Sequence, residues 1–237
     1  MANNINRLFI GSLILSFVLL SYFLHLDLYL IIVVCVLSFL DLIKSKILKL
    51  NYLNMLIILT FIILLLSNIL SFIVIFLFFV ISIIFFIINN KFDNYFFTFS
   101  VIIFLYSFYL IGINDRDLFY TLIFLSFIND TFAYIFGNFI KGPLILPKIS
   151  PKKTWSGTLS SFTLSFLLLL FLKFNILFSF IISISYFFGD LIFSYYKRKI
   201  NIKDFSSIFV SHGGILDRLD SMFLIFIFFN IPLLVSL

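Results

Sequence analysis

Long apolar runs alternate with short polar breaks along the whole chain. Because about 20 apolar residues span a bilayer as an α-helix, this pattern predicts roughly nine transmembrane helices. The predicted spans are residues 8–24, 28–43, 53–67, 69–88, 95–113, 118–139, 158–172, 174–196 and 215–236. Several are short for a full crossing, and the breaks at 67–68 and 173–175 are also compatible with one bent span each. We therefore expect an all-α, polytopic integral membrane protein.

Composition supports this class and excludes a soluble globular domain. Of the 237 residues, 63% are hydrophobic and 38 are Phe, and the mean hydropathy is +1.26. The run 8–24 follows Arg7 and is not followed by a small-residue cleavage site, which predicts a retained signal anchor. Cys35 stands alone inside an apolar run, so a disulfide framework and a Cys-based metal site are excluded.

The distribution of cations predicts the orientation of the chain in the membrane. With the N-terminus in the cytoplasm, all but two of the 16 Lys and Arg residues fall on the inner side, the exceptions being Arg116 and Lys173. This is a strong positive-inside signal, and an odd number of spans then places the C-terminus outside. Topology and anionic lipid headgroups explain the net charge of +6, so no nucleic-acid partner is expected.

Polar residues are concentrated between Ser194 and Asp220, although charged residues make up 11% of the chain. A charge at membrane depth costs several kcal/mol unless it is compensated, so such a cluster indicates a functional site. The cluster contains Ser194-Tyr-Tyr-Lys197-Arg198, Lys203-Asp204, His212-Gly213-Gly214 and Asp217-Arg218-Leu-Asp220. Carboxylates, cations and a Gly pair at a helix start are the groups that a metal-assisted phosphate reaction needs.

Helical spacing relates several of these residues. One face of a helix would carry Asp190, Ser194, Lys197 and Arg198. On that face the carboxylate would lie deepest and the cations would point toward water, which suits a metal ion below a phosphate. The alternative for Asp190 is a packing role or an ion pair with Lys197 or a neighbouring helix.

The start of the last predicted span carries a second group of candidates. Asp217 and Asp220 are three residues apart and would share a helix face, where two carboxylates repel unless a cation lies between them. A divalent ion with oxygen ligands, such as Mg2+, is the economical explanation. The N–H groups of Gly213 and Gly214 would be open to a phosphate. His212 by itself is more often a satisfied polar residue than a catalyst.

A third segment lies before the seventh predicted span. Ser150 followed by Pro151 predicts a helix start, whose free N–H groups would face an anion. Lys152 and Lys153 would face the same anion. The alternative is a positive-inside lysine pair with Trp155 as an interfacial anchor.

The polar segments also form one long pattern, Ser194-x-x-Lys197-Arg198-x4-Lys203-Asp204-x-Ser206-x5-His212-Gly-Gly-x-x-Asp217-Arg218-x-Asp220. This pattern resembles the signature of the bacterial phosphatidate cytidylyltransferases, also called CDP-diacylglycerol synthases. Three upstream segments are also similar to those of the family: Asn129-Asp130-Thr131-Phe132-Ala133-Tyr134 with Gly137, Ser150 to Gly157, and Gly189-Asp190-Leu191. The resemblance covers about residues 126–222, whereas the N-terminal spans match in hydrophobicity alone.

The resemblance implies nucleotidyl transfer, in which phosphatidic acid attacks the α-phosphorus of CTP to give CDP-diacylglycerol and pyrophosphate. It implies Mg2+ as cofactor, a homodimer among membrane lipids, and an active site on the cytoplasmic side of a bacterial inner membrane. The chain would form a single transmembrane domain over 1–237, with N-terminal helices over 1–113 and catalytic helices and loops over 114–237. The resemblance also implies a role for individual residues. The implied catalytic residues are Lys197, Arg198, Lys203, Asp204, His212 and Arg218.

The implied substrate-binding residues are Lys152, Lys153, Thr154, Ser194, Gly213 and Gly214. The implied metal ligands are Asp190, Asp217 and Asp220, with Asp130 added for the reason that follows.

Two positions depart from the family pattern. Phe193 stands where the family usually carries Glu, Val210 stands where it carries Pro, and the whole chain contains no Glu. On a helix Phe193 would lie beside the proposed metal face. We hypothesise that Asp130 replaces the missing acid by approaching Asp190 and Lys197.

Three alternative functions stay open at this point. A CTP-dependent kinase of a lipid alcohol would share the membrane setting and the nucleotide phosphates. An ion-coupled transporter would use Asp130 and Asp190 as intramembrane ion sites, although the sequence shows no inverted repeat. A catalytically weakened relative would be consistent with Phe193.

Overall fold

The computed structural model describes residues 2–47, 92–208 and 213–228. The helices are α1 (Ala2–Phe23), α2 (Asp27–Lys44), α3 (Phe92–Asn114), α4 (Arg116–Ile140), α5 (Trp155–Phe171), α6 (Ile176–Lys199) and α7 (Leu216–Leu219), and the strands are β1 (Leu144–Leu146) and β2 (Ser150–Thr154). Residues 223–228 are helical again. The predicted spans 53–67 and 69–88 and the candidate His212 lie outside the described residues.

Three helices of the described ranges are long and apolar enough to cross a membrane. They are Phe97–Asn114 within α3, the whole of α4, and the whole of α6. These helices agree with the predicted spans 95–113, 118–139 and 174–196. Ser12–Phe23 and Trp155–Phe171 are shorter apolar helices. The mainly helical membrane class is therefore supported, while the number of spans and the orientation stay predictions.

The region before α5 corrects the all-α prediction. β1 and β2 form a two-stranded antiparallel sheet in which Leu144 pairs with Thr154 and Leu146 with Ser150. The helix predicted to begin at Ser150 begins at Trp155 instead, and Thr154 is its N-cap, since the Thr154 hydroxyl accepts a hydrogen bond from the Gly157 N–H at 3.3 Å. The physical reason is that residues 150–154 pair with β1, and the Thr154 hydroxyl supplies the cap that was expected from Ser150.

The described residues fall into two compact units. The first unit contains α1, α2, α3 and, of the later described residues, 204–208, 213–217 and 226–228. In its core Phe226 packs against Phe104 and Phe108 of α3, with ring centroids 6.1 and 4.9 Å apart. Phe97 stacks on Phe205 at 5.6 Å, which brings the segment after residue 204 onto α3.

The second unit contains α4, the β1–β2 hairpin, α5, α6 and the segment from Arg218 to Ile225. α5 and α6 pack along each other, and buried serines such as Ser165 and Ser183 line them. The serine hydroxyls donate to carbonyl oxygens one turn earlier in their own helices, so these small polar residues are satisfied without a partner helix. Tyr186 of α6 donates to the Leu122 carbonyl of α4 at 3.1 Å. The second unit thereby fixes α4, α5 and α6 as one framework.

Candidate functional site

A close helix contact at Gly189 brings the charged residues of the second unit together. A Cβ at this position of α6 would lie 2.6 Å from the Asp220 carbonyl oxygen and 3.0 Å from that of Ser221. Only glycine permits such an approach of a helix to another backbone. Asp190, the next residue, is therefore held next to the segment that carries Asp220.

Asp190 is paired with a cation from the β1–β2 hairpin. The Lys153 Nζ lies 2.5 Å from Asp190 Oδ2, and the two side chains are 23% and 27% exposed. Ser194, one turn along α6, donates its hydroxyl to Asp190 Oδ1 at 3.2 Å, as the helical spacing predicts. The two basic segments that contain Lys153 and Lys197 thus meet at one end of α6.

A second ion pair lies at the same end of α6. The Lys197 Nζ is 3.8 Å from Asp220 Oδ2, and these side chains are 10% and 13% exposed. Lys197 is buried, so the prediction that it points toward water is wrong. Burial is possible because the carboxylate of Asp220 compensates the ammonium charge, which would otherwise carry a large desolvation cost.

Asp130 of α4 belongs to the same electrostatic cluster. The charges of Asp190, Lys153 and Arg218 act on its carboxylate, and Ser221 donates to Asp130 Oδ2 at 3.4 Å. The Ser126 and Ser221 hydroxyls are hydrogen-bonded to each other at 2.7 Å, and both serines are buried. Asp220 is likewise within electrostatic reach of Asp190 and Asp130. An electrostatic influence of Asp190 on Asp130 agrees with the first part of the hypothesis, while an approach to Lys197 and a shared metal ion stay predictions.

Phe193, the position at which the family usually carries Glu, is fully buried. Its ring packs edge-to-face on Phe223 with a centroid distance of 5.1 Å. A carboxylate in this apolar contact would lose its hydration and would need a new partner. The chain therefore uses Phe193 for packing, and the acidic charge of this region comes from Asp130, Asp190 and Asp220.

Other candidates of the second unit have local structural contacts. Thr154 caps α5. Arg198 is exposed and donates to the backbone carbonyls of Ile149 and Ile202 at 3.3 and 3.4 Å, so it ties the hairpin to the end of α6. Lys152 and Lys203 are exposed, and Arg218 is half-buried. The cations therefore range from fully paired to freely solvated.

Asp217, in the first unit, is part of the loop framework. Its Oδ2 accepts hydrogen bonds from the N–H groups of Phe205 and Gly214 at 2.9 and 2.8 Å. Gly213 has a φ of 74°, which lets the loop close around this carboxylate. Asp217 and both glycines are buried. The Gly214 N–H donates to Asp217, three residues later, so in this conformation it is not open to a phosphate as predicted. The metal-binding role of Asp217 stays a prediction. Asp204 is exposed on the same segment.

Sequence reasoning missed a second carboxylate of the first unit, Asp41 of α2. It is fully buried. Its Oδ1 accepts from the Ser206 hydroxyl at 2.5 Å, and its Oδ2 accepts from the Leu216 N–H at 2.9 Å. The sequence feature that could have identified Asp41 is its position near the end of the apolar run 28–43, where an unpaired charge is costly.

The carboxylates of the second unit set limits on how Mg2+ would bind. Among the residues that the structure describes, no three His, Cys, Asp or Glu side chains form a group placed to hold a metal ion. Asp190 and Asp220 each have a lysine as a near neighbour. Mg2+ in nucleotide sites is commonly held by one or two carboxylates together with phosphate oxygens and water. The residues therefore fit an ion that arrives with a nucleotide, and they do not form an all-protein cage.

Comparison with known proteins agrees with the resemblance of the polar segments. The chain matches the sequence profile of the Cytidylyltransferase family over residues 5–236. It is 42% identical over 142 residues to a phosphatidate cytidylyltransferase of Aquifex aeolicus, covering 56% of this chain and 54% of that relative. It is also 44% identical over 111 residues to a phosphatidate cytidylyltransferase of Rickettsia bellii, covering 40% of this chain and 48% of that relative.

A phosphatidate cytidylyltransferase of Staphylococcus haemolyticus is 38% identical over 117 residues, covering 45% of this chain and 45% of the relative. The chain matches about half the length of these curated relatives. The profile match, in contrast, extends through nearly all of the chain, from α1 to beyond the segment that carries Asp220. By this match the chain belongs to the cytidylyltransferase family.

Proposed function

We propose that this chain is a phosphatidate cytidylyltransferase, which transfers CMP from CTP to phosphatidic acid and releases pyrophosphate. The observation that carries the proposal is the ionic cluster of the second unit, in which Lys153 meets Asp190 and Lys197 meets Asp220. Membership of the cytidylyltransferase family supports nucleotidyl transfer over the alternatives of a lipid-alcohol kinase and an ion-coupled transporter.

The reaction needs charge neutralisation more than a specialised nucleophile. An oxygen of the phosphatidate phosphate forms a bond to the α-phosphorus of CTP. The bond from that phosphorus to the oxygen that bridges it to the β-phosphorus breaks, and this oxygen leaves with pyrophosphate. A phosphate monoester with a second pKa of about 6 is largely a dianion at neutral pH and is already nucleophilic. The enzyme must bring two polyanions together, so positioning and electrostatic stabilisation dominate catalysis.

The chain's own cations can supply this stabilisation. Lys153 and Lys197 are held in place by carboxylates, so their ammonium groups are oriented before a phosphate arrives. An ammonium group has three donors and can keep its carboxylate while it donates to a phosphate oxygen. Ser194 fixes Asp190 through its hydroxyl, and Ser221 does the same for Asp130. The site is therefore preorganised by hydrogen bonds within the second unit.

Mg2+ is part of the proposal, with Asp190 and Asp220 as the carboxylates that would hold it and Asp130 nearby. When bound, the ion would neutralise phosphate charge and polarise the α-phosphorus. The cytoplasmic-side active site in an inner membrane rests on the distribution of Lys and Arg. A homodimer stays a prediction of the resemblance.

The test uses the purified full chain in mixed micelles of detergent and phospholipid. Labelled CTP, Mg2+ and phosphatidic acid should give CDP-diacylglycerol and pyrophosphate in equal amounts. Diacylglycerol, which lacks the attacking phosphate, is the matched control substrate and should give neither product. Formation of CDP and a phosphorylated lipid alcohol would point to the kinase instead. Absence of turnover with intact, folded protein would contradict the proposal and favour the weakened relative.

A further inference from the structure

Asp41 is a buried acid of α2, far in sequence from the segments that resemble the family. Its two carboxylate oxygens have different partners, the Ser206 hydroxyl and the Leu216 N–H, which follow it by 165 and 175 residues. These partners lie near the two ends of the segment 204–217, within the same compact unit as α2. One side chain therefore fastens both ends of this segment to α2.

Asp217 reinforces the same closure from within the segment. It accepts from the N–H groups of Phe205 and Gly214, the residues adjacent to Ser206 and near Leu216. Two carboxylates thus hold the pair 205–206 beside 214–216. The four donors described here are three backbone N–H groups and one serine hydroxyl.

Gly214 shows how closely Asp41 approaches the segment. A Cβ built at Gly214 would clash with the Asp41 carboxylate, whose three outer atoms are its nearest neighbours. Gly213 has a positive φ, but Gly214 does not. An alanine at 214 therefore suits the backbone, and the obstacle to it is the side chain of Asp41.

We infer that Asp41 is a positioning residue, which holds residues 205–206 and 214–216 in the arrangement that the proposed cytidylyl transfer requires. The exposed Asp204 directly precedes the first of these pieces. The inference deepens the proposed function and rests on it for the effect on turnover. The contact between Asp41 and the segment is independent of that function.

A double-mutant cycle tests the contact in the full chain. Gly214→Ala should lower kcat/KM on the order of 100-fold, because the clash with Asp41 displaces the segment. Asp41→Ala should lower it by roughly 10- to 100-fold through the loss of two hydrogen bonds. In the double variant the methyl group has room, so adding Gly214→Ala to Asp41→Ala should cost less than about 3-fold. If the loss of kcat/KM in the double variant equals the product of the losses in the two single variants, the inference is overturned.

A conservative substitution separates positioning from a need for charge. In Asp41→Asn the amide oxygen can accept from Leu216 N–H, and the amide nitrogen can donate to the Ser206 hydroxyl. This variant should keep kcat/KM within about 5-fold of wild type, with the loss in kcat and not in the KM for CTP. If Asp41→Asn is as inactive as Asp41→Ala, the charge itself is needed and the positioning role is refuted.

Hydrogen–deuterium exchange gives a readout that does not require turnover. Without substrate, Asp41→Ala should accelerate exchange in peptides that cover 204–217, while α4 and α6 keep wild-type protection. Asp117→Ala removes an exposed carboxylate at the start of α4 and is the matched control, which should leave this exchange unchanged. Unchanged exchange in Asp41→Ala would overturn the inference. If the wild type lacks cytidylyl transfer but Asp41→Ala loosens the segment, the proposed function fails and the contact stands.

Discussion

Two pairs of carboxylates, one in each unit, have different kinds of partner. In the second unit, Asp190 and Asp220 are paired with the side-chain ammonium groups of Lys153 and Lys197. In the first unit, Asp41 and Asp217 accept from backbone N–H groups and a serine hydroxyl. A lysine can rotate toward an incoming phosphate, whereas a backbone donor cannot leave without moving the chain. The first kind of pairing is suited to ligand exchange, and the second kind is suited to holding a fold.

Accessibility distinguishes the Lys153–Asp190 pair from the two carboxylates of the first unit. The side chains of Lys153 and Asp190 are 23% and 27% exposed. Asp41 is 0% exposed and Asp217 8% exposed. A polyanion can reach the first pair from solvent, but it would have to open the loop to reach the second. The comparison therefore separates residues that a substrate could reach from solvent from residues that are enclosed by the loop.

The largest effect is expected from Asp190→Asn. Removing this charge should lower kcat about 1000-fold or more and raise the Mg2+ concentration required, because a hard ligand and its charge are lost. Thermal unfolding should change little, since the broken ion pair is partly solvated. Steady-state kinetics over a Mg2+ titration measure kcat and the Mg2+ requirement, and a thermal melting curve measures stability. Asp117→Asn is the control, and near wild-type activity in Asp190→Asn would remove this residue from the site.

Asp217→Ala should be the next most damaging change, for a different reason. Alanine at 217 removes the Oδ2 that accepts from the N–H groups of both Phe205 and Gly214, so both donors lose this partner. We expect about 100-fold lower kcat/KM together with faster hydrogen exchange over 204–217. If activity is lost while hydrogen exchange over 204–217 stays at the wild-type rate, Asp217 belongs to the metal site. Asp217 and Asp190 would then have the same kind of role.

Lys153→Gln should act mainly on substrate affinity. The variant keeps most of the side-chain volume but removes the charge beside Asp190, so the KM for CTP should rise about 10-fold while kcat falls less. Lys173→Gln changes an exposed lysine of the turn between α5 and α6 and should leave KM unchanged. An equal rise in KM in both variants would show that overall charge, and not the Lys153 position, governs CTP binding.

The smallest effect is expected from Ser194→Ala, which removes a single hydrogen bond to Asp190. A loss of about 1 kcal/mol corresponds to roughly 5-fold in kcat. Ser160→Ala is the matched control, because the Ser160 hydroxyl donates to backbone carbonyls of its own helix. Comparable losses in the two variants would mean that the effect comes from helix stability, with no specific role in orienting Asp190.

The helices were predictable because apolar length is a strong signal, as α4 and α6 illustrate. The hairpin was not, since β2 contains Pro151 and two lysines and lacks the alternation of apolar and polar residues that marks a strand. The second strand of the hairpin ends at Thr154, which is also the N-cap of α5. The sequence offered both Ser150 and Thr154 as N-cap residues, and local pattern did not distinguish them.

Part of the candidate site was predictable for a different reason. The helical spacing of Asp190 and Ser194 is local, and the structure confirms their contact. The pairing of Lys153 with Asp190 depends on how β2 meets α6, which spacing alone does not give. Asp41 was missed because its partners follow it by 165 and 175 residues, and the N-terminal half resembled the family in hydrophobicity alone.

The long separation between Asp41 and its donors has a consequence for biogenesis. Ribosomes add about 5–20 residues per second, so Ser206 is made roughly 10–30 s after Asp41. During that interval the chain carries a buried-to-be carboxylate whose donors in the folded protein have not yet been synthesised. The Leu216 donor follows ten residues after Ser206, so the contacts of Asp41 can form only when nearly all of the chain has been made.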